Sequence, residues 1–185
     1  MSMGTSSSGL EPGEVRVWDP FVRIFHWGLV ACIVLNEFVV DDGERVHQWV
    51  GYAASALVLS RIVWGFVGTR HARFADFWPT PARLRAHLAD LRAGRHGTHA
   101  GHNPLGALMM LAMLAVVLAL GATGWLQTTD AFWGEEGLQE LHEALAEALL
   151  ALASVHVAAA LLMSTVERVN LVAAMVTGIK RRRPD

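Results

Sequence analysis

The apolar positions of this chain fall into four long blocks separated by polar or charged stretches. The blocks cover residues 20–40, 46–67, 104–126 and 138–164. Each meets the roughly 20 residues that a helix needs to cross the hydrocarbon core of a bilayer. Asp19 followed by Pro20 supplies an N-cap and a first-turn proline for the first block. The third block is the least polar. The second and fourth open on polar residues, among them His47, Gln48, Glu140 and Glu143, but their later turns are almost wholly apolar. A shorter pattern lies between the second and third blocks. Thr80 is placed to cap a helix, Pro81 to occupy its first turn and Gly94 to end it, while Leu84, Leu88 and Leu91 share one face among arginines. That spacing predicts a helix over 81–93 lying on the membrane surface, and residues 166–179 invite the same reading. The pattern predicts an all-α integral membrane protein, a four-transmembrane-helix bundle with surface helices.

Composition agrees with this reading. Hydrophobic residues make up 53% of the chain and charged residues 17%, against roughly a quarter charged in a soluble domain. The mean hydropathy is positive. Residues 1–14 read as a polar, disordered N-terminal tail, 15–180 as the membrane domain and 181–185 as a basic tail. The Ser/Gly-rich start lacks the basic and apolar regions of a cleaved signal peptide. The one cysteine, Cys32, cannot form a disulfide within the chain. It also rules out a C-x-x-C-H attachment for covalent haem and a four-cysteine iron–sulfur cluster. An apolar packing role fits it best.

The near-neutral net charge conceals strong segregation. The link between blocks two and three carries Arg70, Arg73, Arg83, Arg85, Arg92 and Arg95, and the C-terminal region carries Arg168, Lys180, Arg181, Arg182 and Arg183. The two short opposite links are acidic, with Asp41, Asp42, Glu44, Asp130, Glu135 and Glu136, and hold only Arg45 as a cation. The positive-inside rule then places both termini and the long link in the cytoplasm. Membrane lipid is an expected partner and nucleic acid is not.

Candidate chemistry resides in the histidines. Four of the nine, His26, His47, His142 and His156, lie in the blocks or at their ends. An ionisable side chain inside a membrane marks function by default. His142 and His156 are fourteen residues apart on one helix, so they share a face and stand roughly 21 Å apart along the axis. His26 lies at the depth of His156, and His47 at the depth of His142. Two opposed neutral imidazoles at each level make axial ligands for a six-coordinate haem iron. A lone membrane histidine is often only a packing residue, but four that pair by depth on three helices are harder to read that way. Gly28, Gly51, Gly121 and Gly124 could admit a flat macrocycle, or merely let helices pack. Arg61 and Arg23 are candidates for haem propionates, the competing reading being that they snorkel to the headgroups. The run His96, His99 and His102 invites a metal reading, but it lies in a Gly-rich stretch with no accompanying cysteine or carboxylate pattern, and a solvated loop is the better account of it.

The stretches V-W-D-P-F-V-R-I-F-H-W (Val17 to Trp27), H-Q-W-V-G-Y (His47 to Tyr52), R-I-V-W-G-F-V-G-T-R-H-A-R-F (Arg61 to Phe74), G-H-N-P-L-G (Gly101 to Gly106) and L-H-E (Leu141 to Glu143), with His156, resemble the bacterial cytochrome b561 family of Ni/Fe-hydrogenase type. The resemblance implies a bacterial inner-membrane location, a four-helix bundle and two non-covalent haems b. It also implies axial ligands at His26, His47, His142 and His156, and electron transfer between the quinone pool and a redox partner. That partner would be a hydrogenase, a dehydrogenase or a cytochrome c. The fourteen-residue spacing also resembles the cytochrome subunit of membrane formate dehydrogenases, which implies a quinone site near the cytoplasmic haem; His102 is then a candidate for exchanging the accompanying proton, although a cap for the turn before Pro104 is the simpler reading of it. Two alternatives stay open: a stand-alone superoxide:quinone oxidoreductase, and a histidine-lined metal or proton transporter.

Overall fold

A computed structural model describes residues 14–93 and 103–181. Four long helices dominate it: α1 (Pro20–Phe38), α2 (Arg45–Val67), α5 (Pro104–Leu126) and α6 (Glu136–Val166). Each is long and apolar enough to cross a membrane. Between α2 and α5 lie a 3-10 turn (Arg70–Ala72), α3 (Phe74–Phe77) and α4 (Pro81–Arg92), and α6 is followed by α7 (Leu171–Thr177). Short strands β1 (Glu14–Arg16) and β2 (Ile179–Arg181) pair antiparallel.

The starts of these helices follow local chemistry. Asp19 accepts from the Val22 amide at 2.9 Å, Asn103 from Gly106 at 2.7 Å and Thr80 from Arg83 at 3.3 Å, each ahead of a first-turn proline. Each side chain satisfies an amide that the helix itself leaves unpaired. Gly43 and Gly134, in the short turns before α2 and α6, take φ of 79° and 75°, which glycine adopts without steric penalty.

In the bundle, α1 packs on α2, α2 on α5 and α5 on α6, whereas α1 and α6 are not closely packed together. Phe25, Leu29, Ala54, Val58, Leu114, Val117 and Leu149 form the central apolar cluster, and half-buried Cys32 packs against it. Ile24, Phe38, Val63, Phe66 and Leu162 point outward. Lipid solvates such faces as well as another helix would, so their exposure is what a bilayer-spanning bundle requires. A second cluster of Val17, Trp18, Val22 and Ala72 closes the end where the termini meet, with Phe21, Trp64 and Met175 packed against it.

The surface helix expected over 81–93 is present as α4 and buries none of its residues. Two expectations need correction. Residues 166–179 form only seven residues of helix, because Asn170 caps a new start at Ala173 N (2.8 Å) and Gly178 ends it with φ 84°. Glu14 and Arg181, assigned to the tails, instead form an ion pair within the β1–β2 pair. The rest of both tails, and the His96, His99 and His102 run, lie outside the described residues.

Candidate functional site

The four membrane histidines come together in two pairs. His26 on α1 faces His156 on α6, with ring centroids 6.4 Å apart and planes inclined at 50°. His47 at the start of α2 faces His142 on α6, also at 6.4 Å, with planes at 59°. Helix α6 thus supplies one imidazole to each level, and its fourteen-residue step separates the levels by roughly 21 Å. The pairing by depth expected from the sequence is the pairing found.

The surroundings of the two pairs differ. His142 Nδ1 lies 2.7 Å from Thr123 Oγ1 on α5. His47 Nδ1 is buried without a hydrogen-bond partner, its nearest charge being the Asp42 carboxylate at 3.6 Å. The backbone carbonyl of His47 accepts from Asn36 Nδ2 at 3.1 Å, which ties the end of α1 to the start of α2. At the other level, His26 Nδ1 is buried without a partner and Trp27 stands edge-on to the ring, with centroids 5.1 Å apart.

Arg61 is 1% exposed, the most deeply buried charged side chain among the described residues. Its guanidinium donates to the Ala72 carbonyl at 3.0 Å and lies 5.3 Å from the Phe74 ring centre, and Nη1 has no partner. The 3-10 turn covers it, so it does not snorkel to the headgroups. Arg23 is directed toward Gly178, where an added Cβ would come 3.3 Å from its Nη1, and its Nε is buried and unpartnered.

The four glycines divide. An added Cβ at Gly28 would meet Leu57, at Gly51 Asn36 and at Gly121 Ser55, so these serve helix packing. At Gly124 it would come 3.2 Å from His142 Cε1. Outside the pairs, His71 Nδ1 stands 3.1 Å from Asp76, which also faces Arg70.

The sequence reading missed Thr123, which sits in an apolar block, and the cluster around Asp19. The Asp19 carboxylate accepts from Trp64 Nε1 at 3.0 Å and from Thr69 Oγ1 at 2.6 Å. Burial alone would raise its pKa. The hydrogen bonds from Thr69, the Val22 amide and Trp64 outweigh that effect and hold the carboxyl below its ordinary value.

A profile of the prokaryotic cytochrome b561 family matches residues 17–178. The chain belongs to that family. Among curated proteins, this cytochrome is 25% identical to a probable Ni/Fe-hydrogenase B-type cytochrome subunit of Rhodobacter capsulatus, over 93% of its own length and 83% of the relative's. No solved structure matches it. It is therefore a bacterial multi-pass membrane b-type cytochrome that takes part in electron transfer, and its family implies haem b.

Proposed function

We propose that this cytochrome is a di-haem electron conduit, with one haem b held between His26 and His156 and a second between His47 and His142. The equal 6.4 Å separation of the two imidazole pairs carries the reading. A metal–imidazole bond is about 2 Å and a ring centre lies about 1.1 Å behind its nitrogen, so two imidazoles on opposite sides of one metal stand about 6.2 Å apart. Both pairs meet that spacing without direct contact between the rings. They lie between α6 and the α1–α2 pair, where α1 and α6 are not closely packed.

When bound, the two haems supply one-electron chemistry between ferric and ferrous iron at two depths of the membrane. The chain's own contribution is to fix the levels, through the fourteen-residue step in α6, and to keep water away with apolar helix faces. Arg61 Nη1 and Arg23 Nε are donors for propionate carboxylates at the His26–His156 level. The arginine-rich end, where the termini meet, faces the cytoplasm by the charge rule. The quinone pool is the exchange partner near His26 and His156, and a hydrogenase, dehydrogenase or cytochrome c is the protein partner. The Rhodobacter capsulatus relative, by its name, favours a hydrogenase.

The visible spectrum of the purified protein, oxidised and reduced, with haem and protein quantified, tests the reading. Two haems per chain are expected. A colourless protein would favour a transporter, and one haem per chain would refute the two-level arrangement.

A further inference from the structure

We propose that Thr123 and Gly124 on α5 form a seat that fixes the tautomer and orientation of His142. Thr123 thereby acts as a positioning residue that lowers the reduction potential of the haem between His47 and His142. The inference rests on the di-haem reading above and deepens it.

Thr123 is 7% exposed, and its Oγ1 makes three contacts: the Ala119 carbonyl at 2.9 Å, the Leu120 carbonyl at 3.2 Å and His142 Nδ1 at 2.7 Å. A hydroxyl has one proton to donate and lone pairs to accept with. Helical threonines commonly direct that proton back to the carbonyl of the preceding turn. The oxygen is then the acceptor for His142 Nδ1–H. A neutral imidazole protonated at Nδ1 carries its free lone pair on Nε2, the nitrogen left to bind a metal. Gly124 adds the shape. A Cβ there would come within 3.2 Å of Cε1, the carbon between the two nitrogens, so the ring lies where a side chain would displace it.

Among the described residues, His142 is the one of the four whose ring nitrogen has a hydrogen-bond partner in the protein. His26 Nδ1 has none, and His47 Nδ1 has only the Asp42 carboxylate at 3.6 Å. An acceptor on the far nitrogen makes an imidazole a stronger electron donor to its metal. Stronger donation favours ferric over ferrous iron and lowers the potential. The two levels are thus set apart by a hydroxyl that one has and the other lacks.

Thr123→Val keeps the shape of the side chain and removes the hydroxyl, and Thr123→Ser keeps the hydroxyl. Each purified variant would be studied by optical potentiometry and by electron paramagnetic resonance of its ferric haems. Thr123→Val is expected to shift one midpoint potential upward and leave the other in place, with Thr123→Ser at the wild-type values. Loss of one haem in Thr123→Val but not in Thr123→Ser supports the seat equally, since only the hydroxyl distinguishes them. The proposal is overturned if Thr123→Val holds two haems with unchanged potentials and resonances. It is overturned too if Thr123→Ser shifts as far as Thr123→Val, because volume would then be the cause. His142→Ala separates this failure from that of the wider reading. If that variant keeps both haem signals, the pairing itself is wrong and the seat falls with it.

Discussion

Replacing Asp19 with alanine removes a junction between the first two membrane helices. One carboxylate oxygen accepts from the Val22 amide at 2.9 Å and starts α1, while the other accepts from Trp64 Nε1 at 3.0 Å and Thr69 Oγ1 at 2.6 Å at the end of α2. Loss of an N-cap costs about 1 kcal/mol. A hydrogen bond to a charged group contributes about 1.5–3 kcal/mol when well shielded. The Trp64 bond is part-buried and the Thr69 bond is exposed, so we assign about 1 kcal/mol to the first and about 0.5 kcal/mol to the second. Asp19→Ala should therefore destabilise the protein by roughly 2.5 kcal/mol, equivalent to roughly 5–10 °C in Tm on the scale of domains this size. Thr69→Val should cost about a fifth of that, and Asp19→Asn should fall between them because the amide keeps one acceptor oxygen. Thermal unfolding in detergent, followed by far-ultraviolet circular dichroism, measures the series. An Asp19→Ala protein that melts with the wild type, or no lower than Thr69→Val, would refute the junction.

The same carboxyl makes a pH prediction. Its folded pKa is held below the ordinary value of 3.8. Its contribution is therefore fully present above about pH 4 and is lost as the pH falls through the folded value. The melting points of wild type and Asp19→Asn should differ near neutrality and converge below about pH 4. A gap that widens toward acid would show that the sign is wrong.

His47→Ala or His142→Ala should remove one haem and spare the other, and His26→Ala or His156→Ala should do the reverse. A haem-to-protein assay with resonance spectra checks this, and one substitution that abolished both haems in a folded protein would contradict the pairing. Arg61→Leu should lower the potential of the haem between His26 and His156, because a nearby cation favours the more negative reduced state. Arg61→Lys should lower it less, and unchanged potentials in both variants would leave Arg61 as a brace for the Ala72 carbonyl alone. An added Cβ at Gly137, in the first turn of α6, meets nothing within 4 Å. Gly137→Ala should therefore raise thermal stability, by up to about 1 kcal/mol, without altering either haem spectrum.

The fold was legible because membrane spans announce themselves by length and apolarity, and because Asp19, Thr80 and Asn103 stand just ahead of prolines. The histidine pairs were legible because the α6 spacing sets both depth and face. What the sequence could not give was the lateral arrangement of the helices. Thr123 looks like one more small residue in an apolar run, and only the packing of α5 on α6 brings it to His142. Arg61 was legible as a buried charge, but its cover was not, because that depends on a short 3-10 turn folding back over the end of α2. The β1–β2 pair escaped for a related reason. Three-residue strands carry no periodicity, and theirs form where Val17 and Trp18 amides reach the Gly178 carbonyl.

Helix α6 is the least anchored of the four long helices, with only Leu149 buried among its 31 residues. It packs on α5 and α7, yet it meets α1 and α2 chiefly through imidazoles held 6.4 Å from their partners. On the proposed reading, axial bonds to His142 and His156 would tie α6 to the first two helices, so the same groups would serve as conduit and as missing packing. A ligand that binds only the folded state adds stability that grows with the logarithm of one plus its free concentration over its Kd. Loss of either haem should then loosen the attachment of α6, and a histidine variant would mix two effects: a broken relay and a weakened bundle. Potentials measured in variants that keep both haems, at Thr123 and Arg61, separate electronic tuning from assembly, which activity in histidine variants cannot do.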